Sequence, residues 1–491
     1  ASRGGTGIEI DLEKVPQRGP GMTPYEILLS ESQERMLIIV HQGREEEVKR
    51  IFDKWDLPWA CVGQVTDTGN MVVRHHGEIV VDVSARLLTD EGPVYHREDR
   101  QPSYMESTQA FRLDGISDTN DPTDHLKSLL AWPTIASKNW VYRQYDHMVR
   151  NGTVVCPGSD AAVIRIKADS IPAMKGLAGD SASFPEKLLA MSVDCNAVYV
   201  YLDPYEGGKA AVAEAARNLA CSGATPLGVT DNLNFGNPHK PEIFYQLKEA
   251  VRGVAEACRV FKAPVTGGNV SLYNQNPDGA IDPTPTIAMV GQIENSDWVT
   301  TQWFKNTGDA IYLLGNPVDE NDPLSGLGGS AYLQCLHGLK TGTPPPCDLE
   351  REKKLNEALL HLIGKGWIQS AHDCSDGGLA VAWAESCFSR ETTIDQPELH
   401  GANIDLSTAG EERLDALLFG ESQARIIISC NPSDEASIVE CMEQKSVPYC
   451  RLGSVGGDSL IIQTETLKVN CSIADLHDIW WNSIALKMSG D

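Results

Sequence analysis

The sequence predicts an α+β chain of several domains, and three observations carry that reading. Strand-like apolar runs alternate with stretches of helical spacing along the whole length. A block near the start returns near the end. Turns rich in Gly and Asn stand where strands would hand over to helices. At 491 residues the chain has room for about three or four domains. Its 41% hydrophobic content is enough for ordinary cores.

The repeat comes first. Leu28-Leu29-Ser30-Glu31-Ser32-Gln33-Glu34-Arg35-Met36-Leu37-Ile38-Ile39 recurs as Leu418-Phe419-Gly420-Glu421-Ser422-Gln423-Ala424-Arg425-Ile426-Ile427-Ile428-Ser429, an offset of 390 from Glu31 to Glu421. The register holds without a gap through Pro58/Pro448, Trp59/Tyr449, Gly63/Gly453 and Val65/Val455. Ile10-Asp11-Leu12 answers Ile404-Asp405-Leu406 with a small shift. The chain is therefore internally duplicated. The later copy is preceded by Asp373-Cys374-Ser375-Asp376-Gly377-Gly378-Leu379-Ala380 and a helix through Glu385, which the earlier copy lacks. The expectation is a carboxy-terminal piece of a longer, pseudo-symmetric protein.

Taken in order, residues 1–90 read as α+β. Met36–Val40 is a predicted strand, Glu45–Trp55 a helix, and Cys61–Val65 and Met71–Val73 strands. Residues 91–138, rich in Pro, Asp, Ser and Thr, are expected to be a solvated linker. A second domain spans 139–300. Ala190–Asp194 and Val198–Leu202 are predicted strands. Asp203-Pro204-Tyr205-Glu206-Gly207-Gly208-Lys209 then enters an Ala-rich helix over Ala210–Cys221. That Gly-Gly-Lys turn suits a phosphate, but without Walker A spacing it reads by itself as an ordinary loop-to-helix junction. Thr286–Ile293 closes the domain as a strand. The last domain, 301–491, opens with a strand at Ala310–Leu314 and a glycine loop at Ser325–Ala331. Gly328 and Gly329 either cradle a phosphate or make a tight turn. A closing amphipathic segment, Ile473–Leu486, carries Trp480 and Trp481 as packing anchors.

One stretch organises the chain. Asp231-Asn232-Leu233-Asn234-Phe235-Gly236-Asn237-Pro238 and Gly267-Gly268-Asn269-Val270-Ser271-Leu272-Tyr273-Asn274 flank a helical pattern from Pro241 to Phe261. Each end alone reads as a polar turn. Both ends in one βαβ-like unit read as a ligand site. Gly267-Gly268 lets backbone approach a ligand. Asn269 offers a neutral oxygen to a metal, Ser271 a hydroxyl to a substrate, and Asp231 a carboxylate to a ribose or a metal-bound water.

A net charge of −27 and a pI near 4.8 argue against a general nucleic-acid binder or an anionic membrane surface. The 13 cysteines fall without CxxC pairs or zinc spacing and read as reduced thiols of a cytoplasmic protein.

The motifs LSESQERM (Leu29–Met36), YVYLDPYEGGK (Tyr199–Lys209), AVAEAARNLACSGA (Ala211–Ala224), TDNLNFGNP (Thr230–Pro238), GGNVSLYN (Gly267–Asn274) and DCSDGGLA (Asp373–Ala380) resemble the phosphoribosylformylglycinamidine synthases of the small type, over their carboxy-terminal two-thirds. The wider group includes aminoimidazole ribonucleotide synthetase, whose unduplicated chain the repeat argues against. The resemblance implies duplicated synthetase-like N-type and C-type domains, with the first N-type domain missing. It implies an ATP-dependent C–N ligase of purine biosynthesis that converts formylglycinamide ribonucleotide and ammonia to the amidine through an iminophosphate. ATP and Mg²⁺ are implied, as are a glutaminase subunit and a small bridging subunit. Residue by residue, Asp231 and Gly268 match nucleotide contacts and Asn269 a magnesium ligand. Ser271, Glu31, Ser32 and Gln33 match substrate contacts. Asp160, Asp194, Asp373, Glu421, Ser422 and Gln423 form a degenerate second site. The family's catalytic histidines have no counterpart here, so no catalytic residue is assigned, and this chain alone is expected to be inactive. A rival reading makes it a structural and docking half with a silent nucleotide site.

Overall fold

The computed structural model describes residues 1–17, 19–30, 35–167, 186–388, 397–407, 413–465 and 467–490. The chain divides into two compact units, Ala1–His96 and Arg97–Asp491. Among the described residues no helix is long and apolar enough to cross a membrane.

The first unit is built on a sheet of β1 (Gly7–Asp11), β2 (Gly63–Thr66), β3 (Asn70–His75) and β4 (Glu78–Ser84), in the order β2-β1-β3-β4. β1 runs antiparallel to β2 and parallel to β3, and β3 and β4 pair antiparallel. Leu12, Ile27 and Val73 make its small core. The helix Pro24–Leu29 starts at a Thr23/Glu26 capping box.

The second unit holds two larger sheets. The first comprises β5 (Thr153–Val155), β6 (Ala162–Ile166), β7 (Lys187–Asp194), β8 (Thr225–Asn234), β9 (Val265–Ser271) and β12 (Thr284–Ile293), ordered β5-β6-β7-β12-β8-β9. A hairpin of β10 (Gln275–Asn276) and β11 (Gly279–Ala280) hangs beside it. The second comprises β13 (Ala310–Leu314), β14 (Ser370–Asp373), β15 (Ala402–Asp405), β16 (Ile426–Cys430), β17 (Tyr449–Val455), β18 (Ser459–Gln463) and β19 (Lys468–Ser472), ordered β14-β16-β13-β17-β15-β18-β19.

The duplication read from sequence is visible as topology. β15 runs antiparallel to β17 and parallel to β18, and β18 pairs antiparallel with β19, which repeats the plan of β1 to β4. One position shows why the register is kept. A Cβ on Gly63 would lie 1.9 Å from the Glu9 carbonyl oxygen, and one on Gly453 would lie 1.8 Å from that of Asn403. The same close strand crossing demands glycine in both copies. Arg35 Nη2 donates to the Ser30 carbonyl, as Arg425 Nη2 donates to that of Gly420.

Four expectations need correction. Met36–Val40 forms no strand. Its counterpart β16 lies buried between β13 and β14, whereas in the first unit no described strand pairs with it, and Met36 to Ile39 are exposed. Apolar β-branched residues make a strand only where a ladder partner exists. Residues 91–138 are not simply a solvated linker, because Leu126, Leu129 and Leu130 on the helix Thr123–Leu130 are at most 1% exposed. Val198–Leu202 belongs to a helix, Ala197–Leu202, started by the Asn196 side chain accepting from the Val198 and Tyr199 N–H groups. Finally, Gly207, Gly208 and Lys209 lie inside the helix Pro204–Cys221. A Cβ on Gly207 would meet Val200 N at 2.4 Å, and one on Gly208 would meet Ala250 O at 2.5 Å. These glycines let helices approach closely, and Lys209 pairs with Glu206 at 2.8 Å, so the turn is no phosphate loop.

Candidate functional site

The organising stretch folds as a β-α-β unit: β8, the helix Pro241–Val260, then β9 parallel to β8 at the sheet edge. Register places Asp231 beside Gly268, Asn232 beside Asn269 and Asn234 beside Ser271. Successive strand residues point to opposite faces, so the predicted set divides. Asp231 and Gly268 lie on the helix-covered face. A Cβ on Gly268 would fall 1.9 Å from Asp231 Oδ1, and the Asp231 charge helps raise the thiol of Cys258 on the covering helix. Burial holds the Asp231 carboxyl above its usual range. Asn269 and Ser271 lie on the open face. Asn269 Nδ2 donates to Asn232 Oδ1 at 3.3 Å. Asn274 Nδ2 donates to Ser271 O at 2.9 Å and to Phe235 O at 3.1 Å, and the Ser271 hydroxyl donates to Asn274 Oδ1 at 3.3 Å. Asn274 thus ties the end of β9 to the end of β8.

The two faces meet at the edge. β9 is exposed from Val265 to Val270, and Gly268 presents no side chain there, so a ligand passing the edge can reach both faces. Glu31, Ser32 and Gln33 lie outside the described residues.

The second predicted set is largely buried and falls into separate hydrogen-bonded groups: Asp160 with Asp373, Asp194 with Asn218, and Glu421 with Gln423. Asp160 Oδ1 accepts from the Asp373 N–H at 2.7 Å and faces His372 Nδ1 at 3.1 Å. His372 Nε2 lies 3.1 Å from Glu385 Oε2. Burial disfavours the imidazolium, yet the two carboxylates outweigh it and hold His372 well above its usual range. Arg217, fully buried, pairs with Asp373 and with Glu352 Oε1 at 2.6 Å. Asp194 Oδ1 accepts from Asn218 at 2.8 Å, while its Oδ2 has no hydrogen-bond partner among the described residues. Glu421, Ser422 and Gln423 are at most 5% exposed. Glu421 Oε1 accepts from the Ala331 and Gly377 N–H groups, both at 2.8 Å, and Oε2 accepts from the Tyr199 hydroxyl. Gly328 and Gly329 are no open cradle: a Cβ on Gly328 would strike Thr343 O at 1.8 Å.

Sequence reasoning missed Arg217, Glu214, Glu352, Asp376 and Tyr199; Glu214 and Asp376 are carboxyls that burial, and for Glu214 also the Asp194 charge, holds above their usual range. A signal existed for Arg217 and Glu214. A helix as rich in Ala as Pro204–Cys221 is buried nearly all round, and charges on such a helix need buried partners.

Two of these carboxyls set a pH dependence. Burial first, then the Asp373 charge, pushes Asp194 up to about 8, and burial with Asp376 does the same to Glu421. Unfolded carboxyls titrate near ~4, so these groups add stability that is complete below about pH 4 and is lost as the pH climbs toward 8. Urea unfolding across that range is expected to show stability falling, with a shallower fall in Asp194→Asn. An equal slope in the two proteins would refute the assignment.

A surface cleft lined by Asn316, Asp348, Arg351 and Pro448 contains none of the predicted site residues.

Comparison with known proteins places these sites in a family frame. Residues 158–293 match the AIR synthase related protein N-terminal domain; residues 1–76 and 306–464 match the AIR synthase related protein C-terminal domain. The phosphoribosylformylglycinamidine synthase subunit PurL of Thermosynechococcus vestitus is 47% identical over 98% of this chain and 62% of its own length. The subunit of the same name from Caldanaerobacter subterraneus is 44% identical over 99% of this chain, again 62% of its own length. The chain therefore spans 62% of the length of these relatives. Among solved structures, T. maritima PurL complexed with ATP matches with a TM-score of 0.54 at 22% identity, covering 93% of this chain and 60% of that one. T. maritima PurL complexed with FGAR matches with a TM-score of 0.55 at 22% identity, covering 93% and 58%. At that identity these structures speak for the fold.

Proposed function

We propose, from the premise that this chain is built of AIR synthase related N-terminal and C-terminal domains, that it forms part of a phosphoribosylformylglycinamidine synthase. The reaction is the ATP-dependent conversion of formylglycinamide ribonucleotide and ammonia to the amidine. The carbonyl oxygen of the glycinamide amide takes the γ-phosphoryl group of ATP and ADP leaves. Ammonia then forms the new C–N bond as the C–O bond breaks and phosphate departs. The observation that carries the reading is the β8–β9 edge, where Asp231, Gly268, Asn269 and Ser271 stand in one parallel register, in a chain 47% identical to a synthase subunit.

Asp231 would hold the nucleotide past the side-chain-free Gly268, and Ser271, held by Asn274, would hold the ribonucleotide substrate. The fit to Mg²⁺ can be tested on the donors present. Among the described residues no cluster of three His, Cys, Asp or Glu side chains is placed to hold a metal. Asn269 would therefore share the ion with phosphate oxygens and waters, which is how Mg²⁺ is usually bound by nucleotide enzymes. When bound, the ion would neutralise charge developing on the phosphoryl group. Glu31, Ser32 and Gln33 are proposed as further substrate contacts. Ammonia is proposed to come from a separate glutaminase subunit joined by a small bridging subunit, and the complex to be cytoplasmic. Met191 and Val193, 37% and 67% exposed on the open face, are proposed to be covered by a second such sheet.

Asn269→Ala tests the proposal in the full-length protein. Turnover with ammonia as nitrogen donor is expected to fall about 10–100-fold, with the Mg²⁺ requirement raised and folding intact. Unchanged kinetics would favour the rival reading, a docking half with a silent site.

A further inference from the structure

We infer, resting on the placement of the ribonucleotide substrate at Ser271, that Asn274 is a positioning residue. It makes the Ser271 hydroxyl a hydrogen-bond acceptor, so that Ser271 reads a donor of the substrate, a ribose hydroxyl or an amide N–H, and not a phosphate oxygen. The turn after β9 brings the two side chains together. Tyr273 has a φ of 63°, in the left-handed region, so the chain reverses there and Asn274 folds back beside Ser271. Backbone bonds hold the reversal. Phe235 N donates to Ser271 O at 3.0 Å, Asn274 N to Phe235 O at 3.1 Å, and Tyr273 N to Gly236 O at 3.0 Å.

The Asn274 amide has one good orientation in that setting. Nδ2 donates to Ser271 O at 2.9 Å and to Phe235 O at 3.1 Å. The reversed amide would set Oδ1 against both carbonyl oxygens, acceptor against acceptor. With Nδ2 so fixed, Oδ1 stands 3.3 Å from Ser271 Oγ and accepts its proton. Nδ2 also lies 3.1 Å from Oγ, but its hydrogens are directed at the two carbonyls, so Oγ has at best a share of one. The Ser271 proton thus points into the protein, and a lone pair is what Oγ offers at the open face. An ionised phosphate oxygen brings only lone pairs and has nothing to give it. Formylglycinamide ribonucleotide carries ribose hydroxyls and amide N–H groups that do.

The test uses the full-length protein with ammonia as nitrogen donor. Ser271→Ala and Asn274→Ala are each expected to lower kcat/KM for the ribonucleotide by about 10-fold. KM for ATP is expected to stay within about 2-fold of wild type in both, which a general loosening of the sheet edge would not allow. The double variant is expected to match the singles, since Asn274 acts through Ser271. Among substrate analogues that each lack one ribose hydroxyl or one amide N–H, one is expected to be insensitive to Ser271→Ala, and that one names the donor. Should Asn274→Ala not fold, Asn274→Asp reads the same device. Its carboxyl can both donate to a carbonyl and accept the Ser271 proton only while protonated, so its kcat/KM relative to wild type is expected to climb as the pH is lowered from about 8 to about 6. Ser271→Ala at wild-type rates would remove the substrate from Ser271 and take the reading of the site with it. The inference alone is overturned by a loss in Ser271→Ala without one in Asn274→Ala, by losses that multiply in the double variant, by analogues all as sensitive as the natural substrate, or by a flat pH ratio in Asn274→Asp.

Discussion

Arg217→Met is expected to cost about 3–5 kcal/mol of stability, seen as a lower urea midpoint. Arg217 is 0% exposed and answers two carboxylates at once: Asp373 through Nε and Nη2, and Glu352 through Nη1 at 2.6 Å. Removing the guanidinium leaves both carboxylates buried and uncompensated. The cost of that stranded charge, more than the lost attraction, sets the size of the effect. Asp373 ends β14, and Glu352 also accepts the Ala424 N–H at 2.7 Å, so the loss reaches β14 and the turn that leads into β16. Lysine should not rescue, because one ammonium cannot span two carboxylates as the planar fork does. Adding Glu352→Gln to the methionine variant should recover part of the loss by discharging one partner. A single variant within about 1 kcal/mol of wild type would mean that the pairs are screened by water, and the buried-network account would fall.

The parts legible in the sequence are those where backbone geometry admits one residue type. Gly63 and Gly453 keep register across the duplication because a carbonyl oxygen lies under each α-carbon, and Gly268 is marked in the same way by Asp231. The β-α-β unit was legible because the helix Pro241–Val260 keeps an apolar stripe between two strand signals. What was not legible depends on distant partners. Val198–Leu202 has the composition of a strand and becomes a helix because Asn196 caps it and Val200 packs against Gly207. Met36–Val40 has the composition of a strand and lacks the ladder that its counterpart finds between β13 and β14. The division of the site between two sheet faces follows from the pairing register of β8 and β9, which a single sequence does not state.

That division makes Gly268 the residue on which the nucleotide reading turns most sharply. Gly268→Val is expected to lower ammonia-dependent turnover of the full-length protein by about 10²-fold or more, mainly through weaker ATP binding. The added Cβ would stand 1.9 Å from Asp231 Oδ1 and 2.7 Å from the Asp231 carbonyl oxygen. The carbonyl is fixed in the ladder, so the carboxylate must swing away, and the two methyl groups of valine then stand beside it at the exposed edge. Gly267→Ala is the contrasting change, since a Cβ there meets nothing within 4 Å. It adds a methyl group to the open face and should leave Asp231 in place. Equilibrium ATP binding and steady-state kinetics on both variants separate the cases. A large loss in Gly268→Val with near-normal Gly267→Ala behaviour places the nucleotide against Asp231 at the covered side of the edge. Equal, modest losses would move it to the open face with Asn269, and normal ATP affinity in Gly268→Val would remove Asp231 from the nucleotide site altogether.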